Sequence, residues 1–384
     1  MHLTLHLTTD CDMRCSYCYS PPRAAPKMTR EIGQKALELG AQLTQGSCGV
    51  VFFGGEPLLC KERIEEIVEY AHFLERQDRG RFHFKVTTNG AKLDSEFLEF
   101  AIRNNVFVAM SFDGVREAHD SHRRSADGGP TFDHLLPRLE MLLAARPYSS
   151  VIMVVNPDTA KYLCDSVAFL MDLSCKYLII SLNYAALWQE SDFSVLRREM
   201  KRLGDLYASW TREGRKFYLS PFEVKISSHV NGHCYRKERC ELAARQISVD
   251  PAGNLFPCVQ FTRAGPGSSW CIGSVDEGID EKRRTLLHEQ SEAEKEFCST
   301  CAIKHRCNNS CGCLNWQTTG SINEVSPVLC RYEQMLVPIA DRVARKLYRR
   351  RDPVFLHKHY NAAYPVLSLL EDALTEERPV SPRP

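Results

Sequence analysis

Six apolar runs of strand length, each followed by a helical pattern, occupy the first half of the chain and leave few topologies open. The runs lie near Leu3–Thr8, Val50–Phe53, Phe82–Thr87, Phe107–Phe112, Val151–Val155 and Tyr177–Leu182. Helical patterns cover Arg30–Gln45, Ile64–Gln77, Ser95–Asn104, Phe132–Ala145 and Lys161–Leu173, with a further one around Phe193–Arg212. The first sets Ile32, Leu37 and Leu39 among polar residues, enough to bury one face. Strand–helix units in series predict an α/β fold, a parallel sheet with right-handed crossovers. An open barrel and a doubly wound sheet both satisfy the pattern, and periodicity does not choose between them. In either, the loops after the strands' C-terminal ends build the site.

After about Leu219 the style changes. Helical periodicity fades, and Gly, Pro and Cys punctuate a stretch in which no segment buries much by itself. Below about 100 residues with little apolar core, cross-links or metals must supply stability. A last helix is expected at Tyr332–Arg350, with a basic end of Arg345, Lys346, Arg349, Arg350 and Arg351. The tail from Glu376 reads as disordered. The expected division is a core domain over 1–220, a cysteine-rich domain over 221–335, and a C-terminal helix and tail over 336–384.

Net charge is +1, so electrostatics make no case for nucleic acid as a main partner. No apolar run approaches the roughly 20 residues of a membrane helix. The N-terminus, Met1-His2-Leu3-Thr4, has neither the basic nor the apolar region of a signal peptide, and a cytoplasmic protein is expected. The outlier is cysteine, with 17 residues crowded towards Cys234–Cys313. A disulfide framework belongs to short exported chains; in a reducing cytosol, dense cysteine means metal or redox chemistry.

Thr8-Thr9-Asp10-Cys11-Asp12-Met13-Arg14-Cys15-Ser16-Tyr17-Cys18 places three thiols in the loop directly after the first strand. A [4Fe–4S] cube normally takes four thiolates, so three leave one iron open to a reactant. The competing site, three cysteines and a histidine on zinc, finds no histidine within the loop. Gly54-Gly55-Glu56-Pro57 follows the second strand; two glycines let backbone approach a ligand closely, and a carboxylate can hold an ammonium. Ser111-Phe112-Asp113-Gly114 and His119-Asp120-Ser121-His122-Arg123 follow the fourth. An ordinary βα loop with a surface arginine is the plainer reading of that stretch. Asn89 and Gly90, and Asn156, are explained equally well by turns.

Together these segments resemble the radical S-adenosylmethionine (SAM) superfamily. The resemblance implies a partial (β/α)6 barrel in which Cys11, Cys15 and Cys18 hold a [4Fe–4S] cluster and SAM fills the open iron. Tyr17 matches the aromatic before the third cysteine. Gly54, Gly55 and Glu56 match the segment that binds the SAM amino group; Ser111 matches a contact to ribose or amino acid, and Arg123 one to the carboxylate. The implied chemistry is one-electron reduction of SAM to methionine and a 5′-deoxyadenosyl radical, which removes an unactivated hydrogen from the substrate.

Further on, Cys234-x5-Cys240, Gly253-x4-Cys258, Cys298-x2-Cys301-x5-Cys307-x3-Cys311 and a distal Cys330 form a dense array, for which zinc is the competing metal. Their order resembles the SPASM domain, a small cysteine-rich module carrying two auxiliary [4Fe–4S] clusters. By position, Cys234, Cys240, Cys258 and Cys311 would bind the first, and Cys298, Cys301, Cys307 and Cys330 the second. Cys48, Cys60, Cys164 and Cys175 read as core residues. Cys271 and Cys313 are left over. Cys313 is read as structural, with a ligand or a hydrogen donor to a substrate radical as alternatives.

The resemblance covers about residues 3–335 and implies modification of a peptide or protein. Sulfatase-maturing members carry Asp directly after the Gly-x4-Cys cysteine; here Val259 stands there, which counts against formylglycine formation. The first strand begins at Leu3, so a leader peptide would be bound by a separate protein or another surface. The expected activity is an oxidative C–C or C–S cross-link within a ribosomally made peptide. Formylglycine generation is the alternative, and an iron–sulfur or zinc scaffold without SAM chemistry the alternative of another class. An external electron donor such as flavodoxin or ferredoxin is implied, with no nucleic acid or membrane partner.

Overall fold

The computed structural model describes residues 1–20, 27–44, 46–230, 240–364 and 367; the expected disordered tail lies outside them. Strands β1 (His2–His6), β2 (Ser47–Phe53), β3 (Arg81–Thr88), β4 (Val106–Ser111), β5 (Ser150–Val155), β6 (Tyr177–Leu182) and β7 (Tyr218–Leu219) are neighbours in chain order. Every adjacent pair among them is parallel. Between them run α1 (Arg30–Thr44), α2 (Lys61–Arg76), α3 (Ser95–Arg103), α4 (Arg116–His122), α5 (Phe132–Ala145), α6 (Leu163–Asp172) and α7 (Glu190–Arg212).

That order decides what periodicity left open. A doubly wound sheet reverses direction at a switch point near its middle, whereas β1 to β7 follow one another without a reversal. Right-handed crossovers taken always in one sense put the helices on one face and turn the other inward. The sheet is an open barrel. Alternation along the strands follows suit. Val50, Phe52, Phe84, Val86, Val108, Met110, Val151 and Met153 are buried towards the helices, each burial worth about 1.5–3 kcal/mol. Phe53, Thr87, Ser111, Ile152, Val154 and Ser181 are only half-buried and line a cavity inside the sheet.

The cysteine-rich half does not stand apart. Its β8 (Gln246–Val249) pairs in parallel with β1, and β9 (Leu255–Phe256) adds antiparallel to β8, so one sheet crosses residue 220. The apolar cores of the two halves are continuous. α8 (Ser220–Val230), α9 (Glu281–Glu292), α10 (Gly312–Thr319), α11 (Pro327–Arg349) and α12 (Pro353–Tyr360) follow among the described residues, with a hairpin of two-residue strands β10 (Gly273–Ser274) and β11 (Gly278–Ile279).

α11 begins before the expected Tyr332 and runs through residue 335. Ser326 caps it, its side chain accepting from the Leu329 N–H, and Pro327 stands in the first turn. Asp352 and Pro353 start α12 the same way. Ser326→Ala is expected to cost about 1 kcal/mol, the usual worth of such a cap, measurable as a lowered thermal midpoint. α11 packs on α7 at Gly204, where a Cβ would come within 3.0 Å of Val343 Cγ2. It also carries Glu333, buried against Lys225 of α8 with Nζ to Oε1 at 2.9 Å. The same ammonium donates to the Arg306 carbonyl at 2.9 Å, next to Cys307.

Candidate active site

The loop after β1 is held from three sides. Met13 is buried, and the Arg14 and Ser16 N–H groups donate to the carbonyls of Arg124 and His122 at 2.7 and 3.0 Å. Behind the loop, Gly55 and Glu56 donate their N–H groups to the carbonyls of Thr8 and Asp10, each at 2.8 Å. This contact is what requires the glycines. A Cβ on Gly54, whose φ is +135°, would lie 2.3 Å from the Thr8 carbonyl oxygen, and one on Gly55 2.0 Å from that of Asp10. Both line the cavity, but the close approach they permit is to the cysteine loop.

Glu56 does not reach the cavity. It is fully buried. Its carboxylate accepts from Thr88 Oγ1 at 2.6 Å and from the Asn89 and Leu58 N–H groups at 2.7 and 3.0 Å. Burial raises its carboxyl to about 7, against the pull of those donors. Glu56 thereby fixes Asn89, which sequence reading gave only as a turn. Asn89 Nδ2 donates to Asp12 Oδ1 at 2.8 Å and contacts Cys11 Sγ at 3.6 Å. The Met13 N–H also donates to that sulfur, at 3.4 Å. Burial pushes the Cys11 thiol up to about 12 and raises Cys15 as well. Thiols so disfavoured as free anions are stabilised as thiolates once a metal supplies the positive charge. Asn89→Ala should lower SAM cleavage by about 10–100-fold, the usual cost of losing a partner behind a ligand; turnover assays on reconstituted protein check this.

Beside the loop, Tyr17, Asp113 and Arg123 lock together. Tyr17 donates its hydroxyl to Asp113 Oδ2 at 2.6 Å, Arg123 Nε lies 3.1 Å from the same oxygen, and the guanidinium carbon lies 5.6 Å from the Tyr17 ring centre. Burial opposes the Arg123 charge, but Asp113, Tyr17 and Cys15 outweigh it and keep the group protonated. His119 is structural: its ring meets the Asp113 N–H and the Thr131 hydroxyl, and burial takes it down to about 2. Asn156 serves a turn with Thr159.

The cavity has a volume of about 370 Å³. Cys11, Cys15 and Cys18 form one wall, with Tyr17, Gly54, Gly55, Asn89, Ser111 and Arg123 around them. Gln260, Cys311, Cys313 and Gln317 of the cysteine-rich half contribute to the same lining. Val259 does not line this space, but the next residue does. Of the first expected auxiliary set, Cys234 lies outside the described residues. The Cys240 and Cys311 thiols are hydrogen-bonded. In the second set, the Cys301 N–H donates to the Cys298 carbonyl at 3.1 Å. Burial raises Cys330, with Cys298 and Cys301 adding to the effect; Cys307 is raised by burial and then by Glu333. Cys48, Cys60, Cys164 and Cys175 are buried in the core, and Cys271 donates to the Gly273 carbonyl at 3.4 Å.

Residues 5–170 match the family model of the radical SAM superfamily. A serine-type anaerobic sulfatase-maturating enzyme of Bacteroides thetaiotaomicron is 23% identical, over 91% of this chain and 92% of its own length. The radical SAM cyclopropyl synthase TigE of Paramaledivibacter caminithermalis is also 23% identical, over 92% of this chain and 75% of its own. Native anSMEcpe, solved with AdoMet and the Cp18Cys peptide, superposes with a TM-score of 0.77 at 18% identity, covering 91% of this chain and 99% of that one. The match begins within β1 and spans the cysteine loop and strands β2 to β5, so residues 5–170 are similar to the radical SAM superfamily.

Proposed function

We propose that this protein modifies a ribosomally made peptide by an oxidative intramolecular C–C or C–S cross-link. The observation that carries the reading is a cavity lined both by Cys11, Cys15 and Cys18 and by Cys311 and Cys313 of the cysteine-rich half. When bound, a reduced [4Fe–4S] cluster and SAM supply a 5′-deoxyadenosyl radical that takes a hydrogen atom from the substrate. Cys11, Cys15 and Cys18 would hold that cluster. Arg123, kept charged in the cavity wall, suits a carboxylate, and the Gly54–Gly55 backbone and Ser111 offer polar contacts beside it. The half-buried apolar side chains of β2 and β5 exclude water from the reacting centre. The thiols of the cysteine-rich half would hold two auxiliary clusters, which give the second electron of an oxidation a way out.

Likeness to a cyclopropyl synthase supports ring-forming chemistry. Formylglycine generation is the second reading, favoured by likeness to a sulfatase-maturating enzyme along 91% of the chain. The cavity counts against it. Where a carboxylate base would follow the Gly-x4-Cys cysteine stands Val259, and the neighbour that reaches the cavity, Gln260, carries a neutral amide. Anaerobic incubation of reconstituted protein with SAM, reductant and a sulfatase-motif peptide separates the two. Stoichiometric formylglycine would contradict the cross-linking reading; SAM cleavage without it agrees.

A further inference from the structure

The C-terminal half of α11 carries a row of cations for which the cavity has no use. Arg342, Arg345, Lys346, Arg349 and Arg350 recur at helical spacing, and all five are exposed. A groove of about 460 Å³ is lined by these five side chains. The chain as a whole carries a net charge of +1, so the row is segregated charge rather than general basicity.

Neighbouring carboxylates do not cancel it. Asp341, the acid next to the row on α11, accepts from Arg306 with both oxygens, at 2.9 and 2.7 Å. Arg345 Nε donates to the Asp341 carbonyl at 3.2 Å. Lys346 Nζ lies 3.8 Å from Asp205 of α7, the one ion pair the row makes among the described residues. The helix dipole favours cations in the last turn, where Lys346 and Arg349 stand. That effect fades before Arg342 and Arg345, further up the helix.

The row also has a direction. At 1.5 Å per residue, Arg342 to Arg350 spans about 12 Å, the length of about four residues of extended chain. A lipid surface needs apolar side chains to insert, but Tyr348, the exposed aromatic beside the row, is stacked on Tyr360 with ring centres 5.6 Å apart. An electron donor docked here would stand far from the expected clusters, since Cys330 on the same helix is about 18 Å up the axis from Arg342. Towards its other end, α11 reaches the cavity. Tyr332 meets Tyr184 edge-on with ring centres 6.4 Å apart, and Tyr184 lines the cavity. From Tyr332 to Arg342 is about 15 Å, which an extended chain covers in about five residues.

We propose that this row docks an acidic segment of the substrate peptide, at least about five residues distant in sequence from the residues modified. The segment anchors the peptide while the chain beyond it reaches the cavity. This rests on the reading of the protein as a peptide-modifying enzyme.

Fluorescence anisotropy of the full chain with a labelled glutamate octapeptide, and with its glutamine counterpart, tests the surface. The acidic peptide alone should bind, and more weakly as salt rises. Arg345→Glu/Arg349→Glu should weaken it about tenfold, Arg345→Gln/Arg349→Gln less, and Arg103→Glu, an exposed cation of α3, not at all. SAM cleavage without peptide should be unchanged in every variant. Undiminished binding by the charge-reversed protein would overturn the proposal, as would tighter binding of duplex DNA or phosphatidylserine vesicles at the same row. Glu371, Asp372, Glu376 and Glu377 of this chain lie outside the described residues. Binding that appears only after their replacement by Gln would show that the row serves the chain itself, and would also overturn it. In source cells, the same charge reversal should lower the yield of a lighter peptide that carries an acidic run. Unchanged modification there would contradict the docking inference and leave the peptide reading standing. No modified peptide even with the unaltered protein would overturn that reading, and the docking inference with it.

Discussion

Cys15→Ala is expected to abolish reductive cleavage of SAM, taking 5′-deoxyadenosine formation to the no-enzyme background. Three thiols from one loop leave no spare, for Cys11, Cys15 and Cys18 are the cysteines of that loop and the other cavity-lining thiols, Cys311 and Cys313, belong to the cysteine-rich half. The effect is expected to be larger than that of removing Asn89, because a ligand is lost rather than its support. Folding should be little altered, since Cys15 is half-buried at a loop and the sheet beneath it is complete without it. Turnover persisting in this variant, with an unchanged circular dichroism spectrum, would contradict the assignment of the loop.

The largest expected effect on stability lies away from the cavity. Lys225→Met should destabilise the protein by about 3–5 kcal/mol, the cost of leaving one partner of a buried ion pair uncompensated. The Lys225 and Glu333 side chains are each 5% exposed and approach to 2.6 Å. Burial already raises the Glu333 carboxyl, and Lys225 holds it down. Removing the ammonium also frees the Arg306 carbonyl beside Cys307. The double variant Lys225→Met/Glu333→Leu should recover most of the loss, because well-packed apolar residues replace a buried pair at little cost. Thermal unfolding of both variants checks the expectation. A double variant no better than the single would show that the pair is not the source of the loss.

The raised folded-state pKa of Glu56 has a consequence for pH. Its carboxyl lies at about 7 in the folded protein and near 4.3 in an unfolded chain. The folded state therefore binds the extra proton between those values, and stability contributed by this group is complete below about pH 4 and lost as pH rises through about 7. Glu56→Gln should flatten that slope in thermal midpoints measured from pH 5 to 8, relative to the unaltered protein. An identical slope would mean that the three hydrogen-bond donors keep Glu56 ionised throughout.

Much of this architecture was legible because it depends on local pattern. The first six strands and the helices between them, apart from the short α4, follow from hydrophobic period, and their limits differ from expectation by a few residues. Two kinds of information were not legible. One is pairing across sequence: nothing in Gln246–Val249 announces that it adds to β1, since a short apolar run carries no mark of its partner. The other is what a motif residue faces. Gly54, Gly55 and Glu56 read as a ligand-binding turn, yet close approach to Thr8 and Asp10 accounts for the glycines, and Glu56 spends its oxygens on Thr88, Asn89 and Leu58. Cys313 shows the converse, a residue outside the familiar spacing that the fold brings into contact with two expected ligands. The starts of α11 and α12 were legible in principle, as Ser-Pro and Asp-Pro, signals that outrank the apolar periodicity following them.

Peptide modification is tested most directly by comparative mass spectrometry of small peptides from source cells with and without this protein. The account predicts a peptide lighter by whole pairs of hydrogens only when the protein is present, with fragmentation blocked across the new bond. Should the purified protein cleave SAM while no peptide changes mass, the substrate is a folded protein or a small molecule, and the cross-linking account is wrong.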